Sequence, residues 1–356
     1  MSPDFDKTFP FLKNLDLPPA WEAAARRFLE GGGVTLVLGG TDTGKSTLCT
    51  YLVYRAYTAG LTVALLDLDL GQSHLGPPGS LGLNLYPPRF PGDAGLFPEG
   101  LYFIGQTSPV GAVLEVAVGA RVLADYARSR GVTRLVVNTS GLIQGPAAHR
   151  LKRAKVELLQ PRLLPALSRG EELAPLLAPL GAEEKILSLP VSARALIRTP
   201  EERRQYREHR FRRYFKEAQV LELPLASLRW RGYPFGWGLP LAPQDLLGIS
   251  RRLGTAVWYG TGAAGRLTLL VEHLPPESPL GGAGEALHLL TPDQIFHHLV
   301  GLWGTGPCTL ALGLLVPSDW RRGRLALLTP LPPSRVQEVR ALSLGTIRLE
   351  SQGREF

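Results

Sequence analysis

The stretch Gly39-Gly40-Thr41-Asp42-Thr43-Gly44-Lys45-Ser46-Thr47 limits what this chain can fold into more than any other segment. It fits the pattern G-x-x-x-x-G-K-[ST]. Its flanks fit as well, because residues 34–38 read as a buried apolar strand and residues 45–57 as a helix. A strand, loop and helix of this kind form a cradle for a chain of phosphates. The glycines let successive backbone N–H groups turn inward, and the helix N-terminus adds its partial positive charge. Lys45 then reaches the β- and γ-phosphates, Ser46 supplies a hydroxyl to Mg²⁺, and Thr47 offers a second hydroxyl towards the α-phosphate. Every residue from Gly39 to Thr47 is a candidate contact for a nucleoside triphosphate, ATP or GTP, with Ser46 as a metal ligand.

The surrounding pattern extends this reading to a fold class. Apolar runs at 62–70, 101–104, 134–138, 162–167 and 185–189 read as strands, with a helix at 110–128. Apolar strands alternating with helices predict an α/β fold whose parallel sheet is flanked by helices. After residue 217 Gly and Pro become dense, and short β-like runs follow at 267–271, 309–315 and 324–328. The expected organisation is an N-terminal extension (1–33), a phosphate-cradle domain (34–216) whose end forms an arginine-rich lid (about 194–216), and a smaller β-rich C-terminal domain (217–356).

The second strand ends Leu65-Leu66-Asp67-Leu68-Asp69-Leu70-Gly71-Gln72. Its two acids alternate and so share one face, at the strand end where open α/β sheets bind ligands. One acid there can hold Mg²⁺ and the other can take a proton from an attacking hydroxyl. Asp69 is the candidate base and Asp67 the metal or water ligand, and the two roles are exchangeable on sequence grounds.

Composition narrows the class further. With 356 residues, 44% hydrophobic and 20% charged, the chain is globular and not disordered. Two cysteines, Cys49 and Cys308, exclude a disulfide scaffold and a Cys-based zinc cluster. No apolar run reaches the length of a membrane span and the N-terminus does not read as a signal peptide, so no membrane contact and a cytoplasmic location are expected. Net charge is +8, and of 39 basic residues 32 are Arg. Guanidinium groups fork onto phosphates, which suits a phosphate-handling protein, although a GC-rich genome favours Arg as well. The position of the charge is more telling. Residues 194–216 hold nine basic and three acidic side chains, a net of +6. Pro200 and Glu201-Glu202 mark a helix start there, and Arg203, Arg207 and Arg210 recur on one face. A helix of this kind closing over a γ-phosphate would neutralise charge in the transition state of phosphoryl transfer.

The base-reading motif [NT]-K-x-D of GTPases, the L-S-G-G-Q signature of transporter ATPases and the extra early Lys of partition ATPases are all absent. A kinase or an unusual NTPase remains. Here several blocks carry a resemblance: the cradle itself; Asp67 to Gln72 followed by Gly76-Pro77-Pro78-Gly79; Phe103-Ile104-Gly105-Gln106-Thr107-Ser108-Pro109; Asn138-Thr139-Ser140-Gly141-Leu142 followed by Gly145; and the basic segment from Arg198 to Phe215. Together they resemble the polynucleotide 5′-hydroxyl kinases, the family of the RNA-kinase subunit of the mRNA 3′-end cleavage complex and of the ribosomal-RNA-processing kinases. The short archaeal and bacterial members are most similar, and the likeness covers residues 34–216. It implies that Lys45, Asp69, Arg203 and Arg207 carry phosphoryl transfer. It also implies that Thr139, Ser140, Gly141 and Leu142 clasp the substrate end.

Two departures stand out. The family's clasp often ends in Trp, and Leu142 here can only pack against a base. The eukaryotic members carry a β-rich N-terminal domain, which is not expected in a chain that reaches its first core strand by Val34. Gln72, Thr107 and Ser108, at strand ends, offer hydrogen bonds to the terminal nucleotide, and Arg210 completes the basic face. Arg150, Lys152, Arg153 and Lys155 read as a second basic cluster for backbone phosphates. The expected activity is transfer of a γ-phosphate to the 5′-hydroxyl of RNA or DNA. Two alternatives are a non-catalytic nucleotide-bound scaffold of an RNA-processing complex and a small-molecule kinase.

Overall fold

The computed structural model describes residues 16–86, 95–181, 185–263, 265–276 and 286–356. Residues 1–15, the greater part of the stretch read for a signal peptide, lie outside them. The chain divides into two compact units, Met1–Arg210 and Phe211–Phe356. No helix among the described residues is long and apolar enough to cross a membrane.

In the first unit α1 (Pro19–Leu29) buries Trp21, Ala24, Ala25 and Phe28. These residues join one core cluster with Leu48, Leu52 and Val53 of α2 (Lys45–Thr58), so the N-terminal segment is built into this unit. The strand expected at 34–38 is two short strands, β1 (Gly33–Leu36) and β2 (Leu38–Gly39), which enter different sheets. The first sheet also holds β3 (Val63–Leu68), β4 (Ser80–Tyr86), β5 (Gly100–Phe103) and β6 (Arg134–Thr139), in the order β1-β6-β3-β4-β5. Its β1-β6-β3 part is parallel. β4 runs antiparallel to both of its neighbours and was not foreseen. Gly82 explains the miss. A glycine in a strand is a weak local signal, and here it is needed, since a side chain at that position would run into the carbonyl of Leu75.

Helices α3 (Val113–Ser129) and α4 (Gly145–Leu159) pack against each other. β2 continues into a three-stranded parallel sheet with β7 (Leu164–Ser168) and β8 (Ile186–Pro190). The last helix to begin in this unit is α5 (Pro200–Tyr214). Parallel register sets Asp67 beside Asn138 and Leu68 beside Thr139, at the C-terminal ends of β3 and β6. The phosphate cradle follows β2 at the same kind of strand end, where an open α/β sheet binds ligands.

The second unit is β-rich, as expected. One sheet has six strands, β9 (Gln219–Pro224), β10 (Arg229–Arg231), β15 (His298–Trp303), β16 (Thr309–Val316), β17 (Arg324–Thr329) and β18 (Ala341–Arg348), in the order β10-β18-β15-β16-β17-β9. The other has four strands, β11 (Leu239–Pro240), β12 (Val257–Ala263), β13 (Arg266–Val271) and β14 (Ala286–Leu290). Trp230, Phe235, Leu302, Leu315 and Leu327 belong to its larger core.

Candidate active site

The cradle is built as its sequence requires. Gly44 caps the N-terminus of α2 with φ +87°, a left-handed conformation that glycine adopts without strain. Lys45, the first residue of α2, is buried, and its ammonium donates to the carbonyl of Gly40 at 2.5 Å. The buried Thr43 hydroxyl donates to the same carbonyl at 3.0 Å. Burial pushes the Lys45 pKa down, and the negative charges of Asp69 and Asp42 oppose that shift. The guanidinium of Arg169 braces the outside of the loop by donating to the carbonyls of Thr41 and Asp42, at 3.3 and 2.7 Å.

The two aspartates are not equivalent. Asp67 is 2% exposed. Its Oδ1 accepts from the backbone N–H of Asp69 (3.1 Å) and from Asn138 Nδ2 (2.9 Å), and its Oδ2 accepts from the N–H of His74 (2.7 Å). Burial raises its pKa, while His74 and these backbone donors pull it down. A carboxylate so engaged organises the loop that follows β3. It does not line the cleft, on which the metal-ligand role was read for it. Asn138 Nδ2 lies 3.1 Å from Ser46 Oγ as well, so one amide links this buried acid to the cradle hydroxyl.

Asp69, two residues on, lines an open cleft of about 720 Å³ together with Lys45, Ser46 and Thr47. Its Oδ1 accepts from the N–H groups of Gly71 and Gln72, both at 3.1 Å. The shared face inferred from the alternation is therefore only partly kept, because the chain turns at the end of β3 and sends Asp69 outward.

The basic segment forms a helix as predicted, and its N-terminal part closes on the cradle. Asp42 Oδ2 accepts from the backbone N–H of Arg198 (2.9 Å) and from the guanidinium of Arg203 (2.7 Å). The Tyr206 hydroxyl donates to the carbonyl of Ser73 at 2.9 Å. Gln72 donates to the Arg203 carbonyl and accepts from the Arg198 guanidinium, each at 3.3 Å. Arg194, Arg198, Gln205 and Tyr206 line the cleft. Arg203 and Arg207 do not, although they matched the family's pair. Arg210 is buried and donates to the carbonyls of His74 (3.2 Å), Gly76 (2.6 Å) and Gly95, so it fastens the helix to the loop after β3 and does not line the cleft.

The clasp is only partly exposed to the cleft. Gly141 lines it, but Thr139 and Ser140 are buried. Thr139 donates to the Val37 carbonyl at 2.8 Å, and the Lys152 ammonium donates to Thr139 Oγ1 (2.9 Å) and to the Ser140 carbonyl (2.6 Å). Lys152 and Lys155 are fully buried, so the run from Arg150 to Lys155 is not a surface track for phosphates. Leu142 is half-buried and does not line the cleft. Nor do Thr107 and Ser108, although the Thr107 carbonyl lies 3.0 Å from where a side chain on Gly71 would start. Ser108 Oγ accepts from the N–H of Val110 at 3.2 Å. Three residues given no role from sequence sit at the centre of this arrangement: Arg169, and Asn138 and Arg198, which were quoted only within longer blocks. Arg198 was legible only as one charge among nine. Nothing in the local sequence marks Arg169.

Residues 39–217 match the family described as mRNA cleavage and polyadenylation factor CLP1 P-loop. Among curated relatives, the polyribonucleotide 5′-hydroxyl-kinase of Thermococcus kodakarensis is 30% identical over 326 residues, covering 90% of this chain and 89% of its own. That of Methanocaldococcus jannaschii is 28% identical over 321 residues, covering 90% and 88%. The solved structure of a wild-type Clp1p–Pcf11p complex has a TM-score of 0.62 at 14% identity, covering 92% of this chain and 78% of that one, a likeness of fold. The chain belongs to the CLP1 P-loop family.

Proposed function

We propose that the protein is a polynucleotide 5′-hydroxyl kinase, transferring the γ-phosphate of ATP or GTP to the 5′-hydroxyl of an RNA or DNA end. The observation that carries the reading is the meeting, in one cleft, of the Asp69 carboxylate, the cradle residues Lys45 and Ser46, and the guanidinium groups of Arg194 and Arg198. The names of the archaeal relatives point to the same chemistry with RNA as acceptor.

The 5′-oxygen attacks the γ-phosphorus, the bond from that phosphorus to the bridging oxygen of the β-phosphate breaks, and a nucleoside diphosphate leaves. Asp69 takes the hydroxyl proton. Lys45 turns from the Gly40 carbonyl to the phosphates, and the arginines neutralise the charge that moves to the leaving group. The residues present fit Mg²⁺. Ser46 Oγ is a hard oxygen donor, the Asp67 carboxylate is joined to it through Asn138 Nδ2, and Asn138 Oδ1 is buried with no hydrogen-bond partner among the described residues. Bound there, Mg²⁺ would neutralise phosphate charge.

The test is transfer of labelled γ-phosphate to a 5′-hydroxyl oligonucleotide, offered as RNA and as DNA, with a free nucleoside as competitor. Wild type should label the oligonucleotide, and Asp69→Asn should lose transfer while still binding ATP. A wild-type chain that binds ATP and labels no oligonucleotide would refute the proposal. Preferential labelling of the nucleoside would replace it with a small-molecule kinase.

A further inference from the structure

The second unit carries a cluster that phosphoryl transfer does not use. The segment Trp230-Arg231-Gly232-Tyr233-Pro234-Phe235-Gly236-Trp237-Gly238 follows β10 and leads into β11. Its aromatic residues divide into two sets. Trp230 and Phe235 are buried and pack on each other with ring centroids 5.2 Å apart. Tyr233 and Trp237 are each 56% exposed, with centroids 5.6 Å apart. The turn that presents them is closed by glycine. The N–H of Gly236 donates to the Gly232 carbonyl at 2.7 Å, and a side chain on Gly238 would lie 2.8 Å from the Gly262 backbone. The exposed rings are therefore held outward by a tight turn anchored in the core, not by loose chain.

Two strands complete the pocket. In the parallel pair β13–β14, Arg266 lies opposite Ala286 and Thr268 opposite His288. The two-residue period of a strand puts Arg266, Thr268 and His288 on one face. That face and the turn enclose a hollow of about 310 Å³, lined by Tyr233, Pro234, Trp237, Arg266, Thr268 and His288 among others, with no carboxylate among the described residues that line it. The Arg266 guanidinium stands 5.1 Å over the Trp237 ring, and the His288 imidazole stacks on Tyr233 at 5.3 Å. The Tyr233 hydroxyl lies 3.0 Å from His288 Nε2.

Exposed rings grouped round a cavity mark a binding site. Aromatic faces next to a guanidinium, with a hydroxyl and an imidazole at the edge, suit a flat aromatic group joined to a phosphate. We infer that this pocket takes an unpaired nucleobase of the polynucleotide strand, stacked on one of the Tyr233 and Trp237 rings and edge-on to the other, since their planes stand 64° apart, with Arg266 at the adjoining phosphate. The inference rests on the proposed polynucleotide substrate, and the contact is sequence-tolerant, since every base has a π-face.

The experiment uses the whole chain and a fluorescein-labelled single-stranded oligouridine, followed by anisotropy, with crosslinking of a 4-thiouridine version to locate the base. Trp237→Ala and Tyr233→Ala should each weaken binding by roughly five- to a hundredfold, the range for losing one stacked base. Trp237→Phe should restore part of it. Arg266→Gln should lower the salt slope of binding by about one, and the crosslink should map to 233–237. Circular dichroism monitors folding, which these exposed side chains do not support. Unchanged anisotropy in the Tyr233→Ala/Trp237→Ala variant would overturn the inference. So would saturation of the Trp237 fluorescence change by a proline-rich peptide and not by oligouridine. Transfer by the wild-type chain is measured in parallel. Absent transfer with oligouridine binding that depends on Trp237 removes the kinase reading and leaves the pocket, whereas normal transfer with unaltered binding in the variants does the reverse.

Discussion

A single methyl group placed on Gly141 should disable the cradle from outside it. Gly141 lies in the clasp, and a Cβ there would stand 2.5 Å from Thr41 Oγ1, 2.7 Å from Thr41 Cα and 2.8 Å from Thr41 N. The hydroxyl can rotate away, but the backbone atoms can separate only if the loop moves. Neither side yields easily. Thr41 is braced by Arg169, and the clasp is held by Lys152 on the Ser140 carbonyl. Overpacking of this kind costs about 1–3 kcal/mol. In Gly141→Ala the loop should relax away from the methyl, and nucleotide binding must then force it back. The strain therefore appears as lost affinity, a rise in the dissociation constant for ATP of roughly 5- to 150-fold, with a smaller loss of thermal stability. Isothermal titration calorimetry measures the first and a thermal melt the second. Gly248→Ala serves as control, because that glycine lies within α6 (Pro243–Leu253) with nothing within 4 Å of the added methyl. The substitution should leave ATP affinity unchanged and stabilise the helix slightly. Wild-type affinity in Gly141→Ala would show that the clasp and the cradle move independently, and the reasoning would fail.

Two further predictions concern charge. Burial lowers the Lys155 ammonium from 10.5 to about 8, against the pull of Asp69 and Asp67. The unfolded chain thus binds more protons between those values, so folding stability rises as pH increases from about 8 to 10.5, and below pH 8 the full penalty is present. Lys155→Met should remove the Lys155 share of that slope, leaving the shares of the buried Lys152 and Lys45, and stabilise the protein by about 3 kcal/mol at pH 7. Denaturant melts at pH 7 and pH 10 that show the same slope in both proteins would contradict this. In the lid, Arg198→Ala should reduce the transfer rate more than Arg207→Ala, since Arg198 lines the cleft. Equal losses in steady-state rates would mean that the helix shifts before transfer.

What the sequence made legible and what it hid divide along a physical line. The cradle was readable because its function is local, with glycines, one ammonium and one hydroxyl fixed at short spacing along the chain. The β3 acids were readable as a pair but not in their separate roles. Period-two alternation puts Asp67 and Asp69 on one face only while the strand continues. β3 ends at Leu68, and that termination sends one acid into the interior and the other into the cleft. The antiparallel β4 was hidden by its glycine. The burial of Lys152, Lys155 and Arg210 was hidden because a charge in a one-dimensional list looks solvated until packing encloses it.

The same contrast bears on how the lid works. Arg203 is held by a carboxylate of the cradle itself, Asp42, and a guanidinium so paired is not available to phosphate until that pair opens. Arg194 and Arg198 carry no such ion pair among the described residues and already line the cleft. The arginines therefore form an ordered series, two facing the site and one latched to its rim. An anion entering the cradle competes with the Asp42 carboxylate for Arg203. If the latch holds the lid in place, Asp42→Asn should loosen it without the left-handed strain that most residues would suffer at φ +55°, because Asn tolerates that conformation. Limited proteolysis across 194–204 should then run faster in Asp42→Asn than in wild type without nucleotide, and ATP should narrow the difference as phosphate takes the place of the missing carboxylate. Identical cleavage rates without nucleotide would mean that the Tyr206 and Arg210 anchors alone hold the helix, and that the charge at Asp42 serves the nucleotide and not the lid.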